Sequence, residues 1–332
     1  MKKLYAFLLV LALCLALCVP ALATEQETPA YEDMSTVTLT KMYALTNAGT
    51  ASPAEEFTFT IERDAVSDAA EGITAANMPM PSIGTVSYAQ GEAGSATAAK
   101  EITITLPTYT SVGIYTYIIK ETGGDTAGVT YFGKDIRLVV TVIELNGKIR
   151  VAAVHTEDEG ENKSDTITNT YSAGNLAVTK HVTGLLGDKN KYFEVTVTLT
   201  GKTGETYAGS FAVSGGSDSR NPAAISLGTA TKFYLKDGET VTIANLPYGV
   251  SYTVAESDYT GTNGGYDAPS YEYGDETRAV DSAVETVAIT NNKGATVDAG
   301  VMLDSAPYVL ALAGVCGIGT VTVLRKRRSA ER

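Results

Sequence analysis

Six residues in this 332-residue chain are of types and spacings that could join a side-chain amine to a side-chain amide. The first set is Lys41, Glu121 and Asn169; the second is Lys180, Glu256 and Asn291. Lysine to glutamate is 80 residues in one set and 76 in the other, and glutamate to asparagine is 48 and 35. Burial disfavours both charged forms, so an apolar site pushes a lysine towards its neutral, nucleophilic amine and a glutamate towards its protonated acid. A neutral amine can attack the carboxamide carbon of asparagine while the acid hydrogen-bonds the carbonyl and passes a proton to the departing ammonia. The product is an uncharged Lys–Asn isopeptide bond, free of the desolvation cost that a buried ion pair carries.

The elements that must hold these groups are β-strands. VTLTKMYAL (37–45) and LAVTKHVTG (176–184) alternate apolar and polar residues, and successive strand residues point to opposite faces. Lys41 therefore shares a face with Val37, Leu39, Tyr43 and Leu45, and Lys180 with Leu176, Val178 and Val182. The same parity puts Glu121 with Tyr115, Tyr117 and Ile119, and Glu256 with Val250, Tyr252 and Val254. Asn169 lines up with Ile167 and Tyr171, and Asn291 with Val287 and Ile289, so parity selects Asn291 over its neighbour Asn292. A plain Lys–Glu salt bridge beside an amide uses the same residues and is the commoner arrangement. Its occurrence twice, with three inward polar residues each time, favours the reaction.

Between the termini the chain reads almost entirely as short strands: FTFTI (57–61), EITITL (101–106), IYTYIIKE (114–121), DIRLVVTVIEL (135–145), KIRVAAV (148–154), YFEVTVTLTG (192–201), KFYL (232–235), ETVTIANL (239–246) and YTVAE (252–256). Asn146-Gly147 predicts a type I′ hairpin turn and Asp237-Gly238 a second hairpin. Strands rich in Thr, Val and Tyr with turn signals between them predict an all-β chain of two sandwiches in tandem. The repeated order of a T-K strand, an aromatic-rich T-x-T strand, a Y-T strand ending in glutamate and an I-T-N strand sets domains at 35–172 and 173–294, joined at Ser172-Ala173-Gly174.

The ends read as export and anchoring signals. Residues 1–23 have two early lysines, an apolar stretch and Ala21-Leu22-Ala23, the pattern of a cleaved signal peptide, and 24–34 follow as a linker. Residues 295–332 hold an uncharged span, 306–324, long enough to cross a bilayer, followed at once by RKRR (325–328), which orients the tail inward. The three cysteines, Cys14, Cys18 and Cys316, all lie in these end segments, so the exported part has no disulfide and needs large cores or another covalent staple. Residues 24–300 carry 18 basic and 36 acidic residues, a net charge near −18 that argues against nucleic acid or an anionic surface as a partner.

Other chemistries find little support. His155 and His181 are unmatched between the halves and read as strand residues. EDEGENKSD (157–165) is acidic but fits no calcium-loop spacing and reads as a solvated tip. No metal site, cofactor, Ser–His–Asp order, phosphate loop or exported thiol is expected.

VTLTK, GIYTYIIKET, GVTY and TITNTY resemble the streptococcal-type pilin isopeptide-linkage domain of Gram-positive surface proteins, over most of 35–172. Tyr117, Ile119, Glu121 and Thr122 are similar to its Y-x-I-x-E-T box. NLAVTKHVTG, LKDGETVTIANLPYGVSYTVAE and AITNNKG resemble the Cna-B-like domain that often follows it, with Ser257 as a departure after the glutamate. The resemblance implies immunoglobulin-like sandwiches with a bond from first strand to last, and a pilus backbone subunit whose partners are a sortase and other pilin subunits or peptidoglycan, with a host or cell-surface ligand also open. The C-terminal end is similar to a sorting signal in which TVDAG (296–300) keeps only the final glycine of L-P-x-T-G, placing cleavage between Ala299 and Gly300. Lys163, just ahead of TITNTY, is the inter-subunit lysine that the resemblance indicates, with Lys148 another exposed choice. The rival functions are a non-polymerising stalk or adhesin, and an extracellular hydrolase, which would need an exposed carboxylate pair in a cleft.

Overall fold

The computed structural model describes residues 33–295. The signal peptide, nearly all of the 24–34 linker and the sorting signal, including Ala299, Gly300 and the apolar span, lie outside the described residues; among those described, no helix is long and apolar enough to cross a membrane.

Among the described residues, twenty strands carry the fold, with a single 3-10 turn at Gly261–Asn263. The N-terminal unit contains β1 (Thr36–Leu45), β2 (Glu55–Phe57), β3 (Phe59–Ser67), β4 (Ser82–Ile83), β5 (Val86–Tyr88), β6 (Ala99–Thr105), β7 (Gly113–Glu121), β8 (Val129–Thr130), β9 (Ile136–Leu145), β10 (Lys148–Glu157) and β11 (Thr166–Tyr171). The C-terminal unit contains β12 (Ala173–Thr183), β13 (Phe193–Thr200), β14 (Phe211–Gly215), β15 (Ala224–Ile225), β16 (Thr231–Leu235), β17 (Thr240–Pro247), β18 (Ser251–Glu256), β19 (Ser270–Tyr273) and β20 (Val284–Asn292).

Each unit is two sheets closed on one core. In the first, a sheet ordered β4-β6-β1-β11-β8 faces one ordered β10-β9-β7-β3, and a β2-β5 ribbon lies beside them. In the second, β15-β14-β17-β12-β20-β19 faces β16-β13-β18. The alternation in sequence becomes these faces directly: Leu39, Tyr43, Ile102 and Ile104 meet Tyr115, Tyr117, Leu138 and Val140 in one core, and Leu176, Val178, Ile243 and Ile289 meet Val195, Val197, Phe233 and Val254 in the other. The first and last strands of each unit are parallel neighbours, β1 with β11 and β12 with β20. Strands so paired need a long crossover, and here the crossover is the rest of the unit.

Only Ser172 separates β11 from β12. Ser172 donates its N–H to Gly128 and accepts from the N–H of Tyr248 (2.8 and 3.0 Å). Asn245, in the left-handed region at φ 60°, pairs its side chain with both backbone groups of Ala51 at 2.8 Å. Gly174 sits where an added Cβ would fall 2.0 Å from the Ser282 carbonyl, so only glycine lets β12 begin there.

Two local expectations change. Asn146 and Gly147 have φ of 56° and 74°, the two positive values a type I′ turn requires, and they join β9 to β10. Asp237-Gly238 is not a hairpin: only Gly238 has positive φ, and the turn carries the chain from β16 in one sheet to β17 in the other. Its second duty explains the aspartate, whose Oδ1 accepts the backbone N–H of Val182 at 2.8 Å. FTFTI is likewise split at Thr58 between β2 and β3.

Candidate cross-linking sites

In β1 the inward row runs Leu39, Lys41, Tyr43, each at most 1% exposed. The parallel register sets Tyr43 beside Asn169, so the amide lies one inward step along the sheet from the lysine, a step the butyl stem of Lys41 spans. The second unit repeats the offset, with Val182 beside Asn291 and Lys180 one step back. The glutamates come from the opposite sheets, as the last residues of β7 and β18. Lys41, Asn169, Lys180 and Asn291 are fully buried, and the Glu121 and Glu256 side chains have no exposed surface.

The first site is a closed triangle. Lys41 Nζ donates to Glu121 Oε2 at 2.7 Å and to Asn169 Oδ1 at 2.5 Å, and Asn169 Nδ2 donates to Glu121 Oε1. Burial pulls the Lys41 ammonium down to about 8, against the opposing hydrogen bond and charge of Glu121. The Phe57 ring lies 4.3 Å from Nζ.

The second site is more open in its bonding. Lys180 Nζ donates to Asn291 Oδ1 and to the carbonyls of His181 and Ile289 at 3.0 and 3.3 Å. Glu256 Oε1 stands 3.3 Å from Nζ, yet neither carboxyl oxygen, nor Asn291 Nδ2, has a hydrogen-bonding partner. Burial lowers the Lys180 ammonium and raises the Glu256 carboxyl, both towards neutral forms. Phe193 takes the place of Phe57, 4.5 Å from Nζ.

The geometry redirects one expected role. Glu121 faces the amide nitrogen and the lysine, not the asparagine carbonyl, because carboxylate oxygens accept and both nitrogens donate. It is placed to carry a proton from the attacking nitrogen to the leaving one. Phe57 and Phe193 were not singled out by residue type; their only signal was the aromatic-rich T-x-T strand that follows each T-K strand.

The remaining candidates lie elsewhere. Asn292 is exposed, and its Nδ2 donates to Asp267 at 2.6 Å. Lys163 is exposed, and its backbone bridges Glu157 across a turn in which Asp158 accepts the N–H groups of Gly160 and Asn162. His155 and His181 are exposed strand residues. Among the described residues no group of His, Cys, Asp or Glu is arranged to hold a metal ion.

Both units have counterparts among known proteins. Residues 37–172 match the Spy0128-like isopeptide containing domain, FctA, and residues 174–293 match a domain of unknown function, DUF7601. A pilin of Streptococcus pyogenes serotype M1 is 28% identical over 323 residues, covering 89% of this chain and 91% of that one. The pilus tip adhesin Cpa of Streptococcus pyogenes is 34% identical over 132 residues, 39% of this chain and 18% of the adhesin. The crystal structure of the major pilin from Streptococcus pyogenes superposes with a TM-score of 0.54 at 24% identity, covering 80% of this chain and all of that one. The buried Lys41–Glu121–Asn169 triangle thus lies within the stretch, residues 37–172, that matches the Spy0128-like isopeptide containing domain.

Proposed function

We propose that this protein is a cell-surface structural protein, the backbone subunit of a pilus, built of two immunoglobulin-like domains (35–172 and 173–294) that each lock themselves with one Lys–Asn isopeptide bond. The observation that carries the reading is the same buried Lys–Glu–Asn set, at the same strand offset, in both units. In each, neutral lysine Nζ bonds to the asparagine Cγ, the Cγ–Nδ2 bond breaks, and Nδ2 leaves as ammonia after receiving a proton from Nζ by way of the glutamate. The bonds join Lys41 to Asn169 and Lys180 to Asn291. Each site turns over once, so the chain is a structural protein and not an enzyme. The intact mass of the purified ectodomain should be two ammonias below the mass of its sequence; the full sequence mass would sink the reading.

Export through the signal peptide, transient anchoring on residues 306–324 and sortase cleavage between Ala299 and Gly300 would deliver the subunit to its neighbours or to peptidoglycan. Lys163 is the proposed acceptor: it is exposed, unlike the cross-linking lysines, and sits on a turn braced by Asp158. Co-expressed with its sortase, the wild type should form a ladder of covalent multimers that survives boiling in detergent, and Lys163→Ala should collapse it to monomer. The similarity of one stretch of the chain to a tip adhesin supports a second reading, a non-polymerising stalk. A wild type that gives no ladder selects the stalk, and a ladder that persists in Lys163→Ala moves the acceptor to another lysine.

A further inference from the structure

Lys41 is covered by a part of the fold that belongs to neither of its two sheets. The ribbon of β2 and β5 pairs Glu55 with Tyr88 and Phe57 with Val86, and each strand sends one buried ring over the site. Phe57, from β2, is the ring 4.3 Å from Lys41 Nζ. Tyr88, from β5, packs edge-on against Tyr43 and Phe57, with ring centroids 5.3 and 5.7 Å apart. A two-stranded ribbon is marginal by itself, so contacts with the neighbouring sheet must hold it down.

Those contacts gather at the nucleophile. β1 and β6 set Lys41 opposite Lys100, and the ribbon is fastened to both. The Tyr88 hydroxyl lies 2.8 Å from the carbonyl oxygens of Lys41 and Ala98 and donates its proton between them. Lys100 Nζ donates to the Ser87 carbonyl of β5 at 2.7 Å and to Glu92 at 2.8 Å, and stands 4.4 Å from the centre of the Tyr88 ring. The segments that enter and leave the ribbon meet at buried Ser52, whose carbonyl and hydroxyl accept the N–H groups of Gly91 and Ala93. Burial pushes the Tyr88 phenol up to about 12, so it remains a donor at neutral pH. Among the described residues the C-terminal unit has no such ribbon; Phe193, in the place of Phe57, stands on β13 of the sandwich itself.

We propose that the β2–β5 ribbon is a latched cover over Lys41 and that Tyr88 is its positioning residue, the hydroxyl keeping Phe57 closed on the amine while the bond to Asn169 forms. This rests on the proposed cross-linking reaction. With the latch released, water reaches Nζ and favours the ammonium over the neutral amine, so the lysine titrates at higher pH and less of it is reactive at neutral pH. The other titratable groups around the site are Glu121 from β7, Tyr43 on β1, Lys100 from β6 with Glu92 beside it, and Tyr131, which meets Phe57 and donates to Glu55. Tyr88→Phe leaves all of them in the chain.

The test is made in the Glu256→Ala ectodomain, where one lost ammonia reports the first site alone. Chains taken unfolded into urea are refolded by dilution, folding is confirmed by circular dichroism, and intact mass is followed in time across the Lys41 titration, about 8. The parent should lose its ammonia at a rate that rises with pH. Tyr88→Phe should be several-fold slower at neutral pH, with the rise displaced upward and the two rates converging in alkali. A folded Tyr88→Phe with the parent's rates overturns the cover alone, and slowing by one factor at every pH makes Tyr88 a packing residue and overturns it too. A parent that keeps its full mass overturns the cross-linking reading and this inference with it. Should Tyr88→Phe not refold, Phe57→Leu opens the same cover from the other strand and is held to the same outcomes.

Discussion

Replacing Lys41 by alanine is expected to lower the melting temperature of the N-terminal unit by about 20 °C. The bond would tie residues 128 apart. By analogy with a disulfide closing a loop of that length, restricting the unfolded chain is worth about 5 kcal/mol. In a domain of this size each kcal/mol moves the transition by about 4 °C. Lys41→Ala adds a further loss, because Glu121 stays buried without the hydrogen-bond donor that the Lys41 nitrogen supplies. Asn169→Ala separates the two effects: it removes the bond and keeps the Lys41–Glu121 pair at 2.7 Å, so it should melt above Lys41→Ala and well below the wild type. Differential scanning calorimetry reads all three. Reductant should change none of them, since residues 24–300 include no cysteine. Coincident transitions for the wild type and Asn169→Ala would remove the cross-link from the account.

Replacing Glu121 by alanine should stop the bond in its own unit and leave the other untouched. Its Oε2 accepts a hydrogen bond from Lys41 Nζ and its Oε1 one from Asn169 Nδ2, so its loss would remove both halves of the proposed transfer. General acid–base groups contribute roughly 100- to 10,000-fold to such steps, which would leave bond formation undetected over a normal preparation. The ectodomain of Glu121→Ala should therefore be one ammonia lighter than its sequence, and that of Glu256→Ala likewise, because the two sites lie in separate cores. Peptide mapping after digestion locates the surviving cross-link: Lys180 to Asn291 in the first variant, Lys41 to Asn169 in the second. A Glu121→Ala protein lighter by two ammonias would show that another group moves the proton.

The inward placement of six polar residues was legible because a strand has a period of two. One apolar neighbour at each second position puts Lys41, Glu121 and Asn169 on a buried face without any knowledge of the partner strand. The same logic chose Asn291 over Asn292, and the structure buries the first and exposes the second. Short elements were harder. β4, β8 and β15 have two residues each, too few to show alternation, and they form because a longer neighbour supplies their hydrogen bonds. The Asp237-Gly238 dipeptide predicts a hairpin that the structure does not form, because a turn dipeptide specifies local dihedrals but not the sheet that the next strand joins.

What the sequence determined by itself was therefore the all-β class, the two-fold repetition and the face on which each reactive group lies, all consequences of local backbone geometry. Tertiary structure alone decided that β11 lies parallel to β1 and β20 to β12 with the asparagine one inward step past the lysine. It also decided that the glutamate arrives from the opposite sheet, that Phe57 and Phe193 floor the two lysines, and that Glu121 hydrogen-bonds both nitrogens while Glu256 stands 3.3 Å from Lys180. These depend on which of many similar strands become neighbours and in what register. That choice is made by the summed packing of a whole core against the entropy of closing loops of more than a hundred residues, a balance that no short stretch of sequence contains.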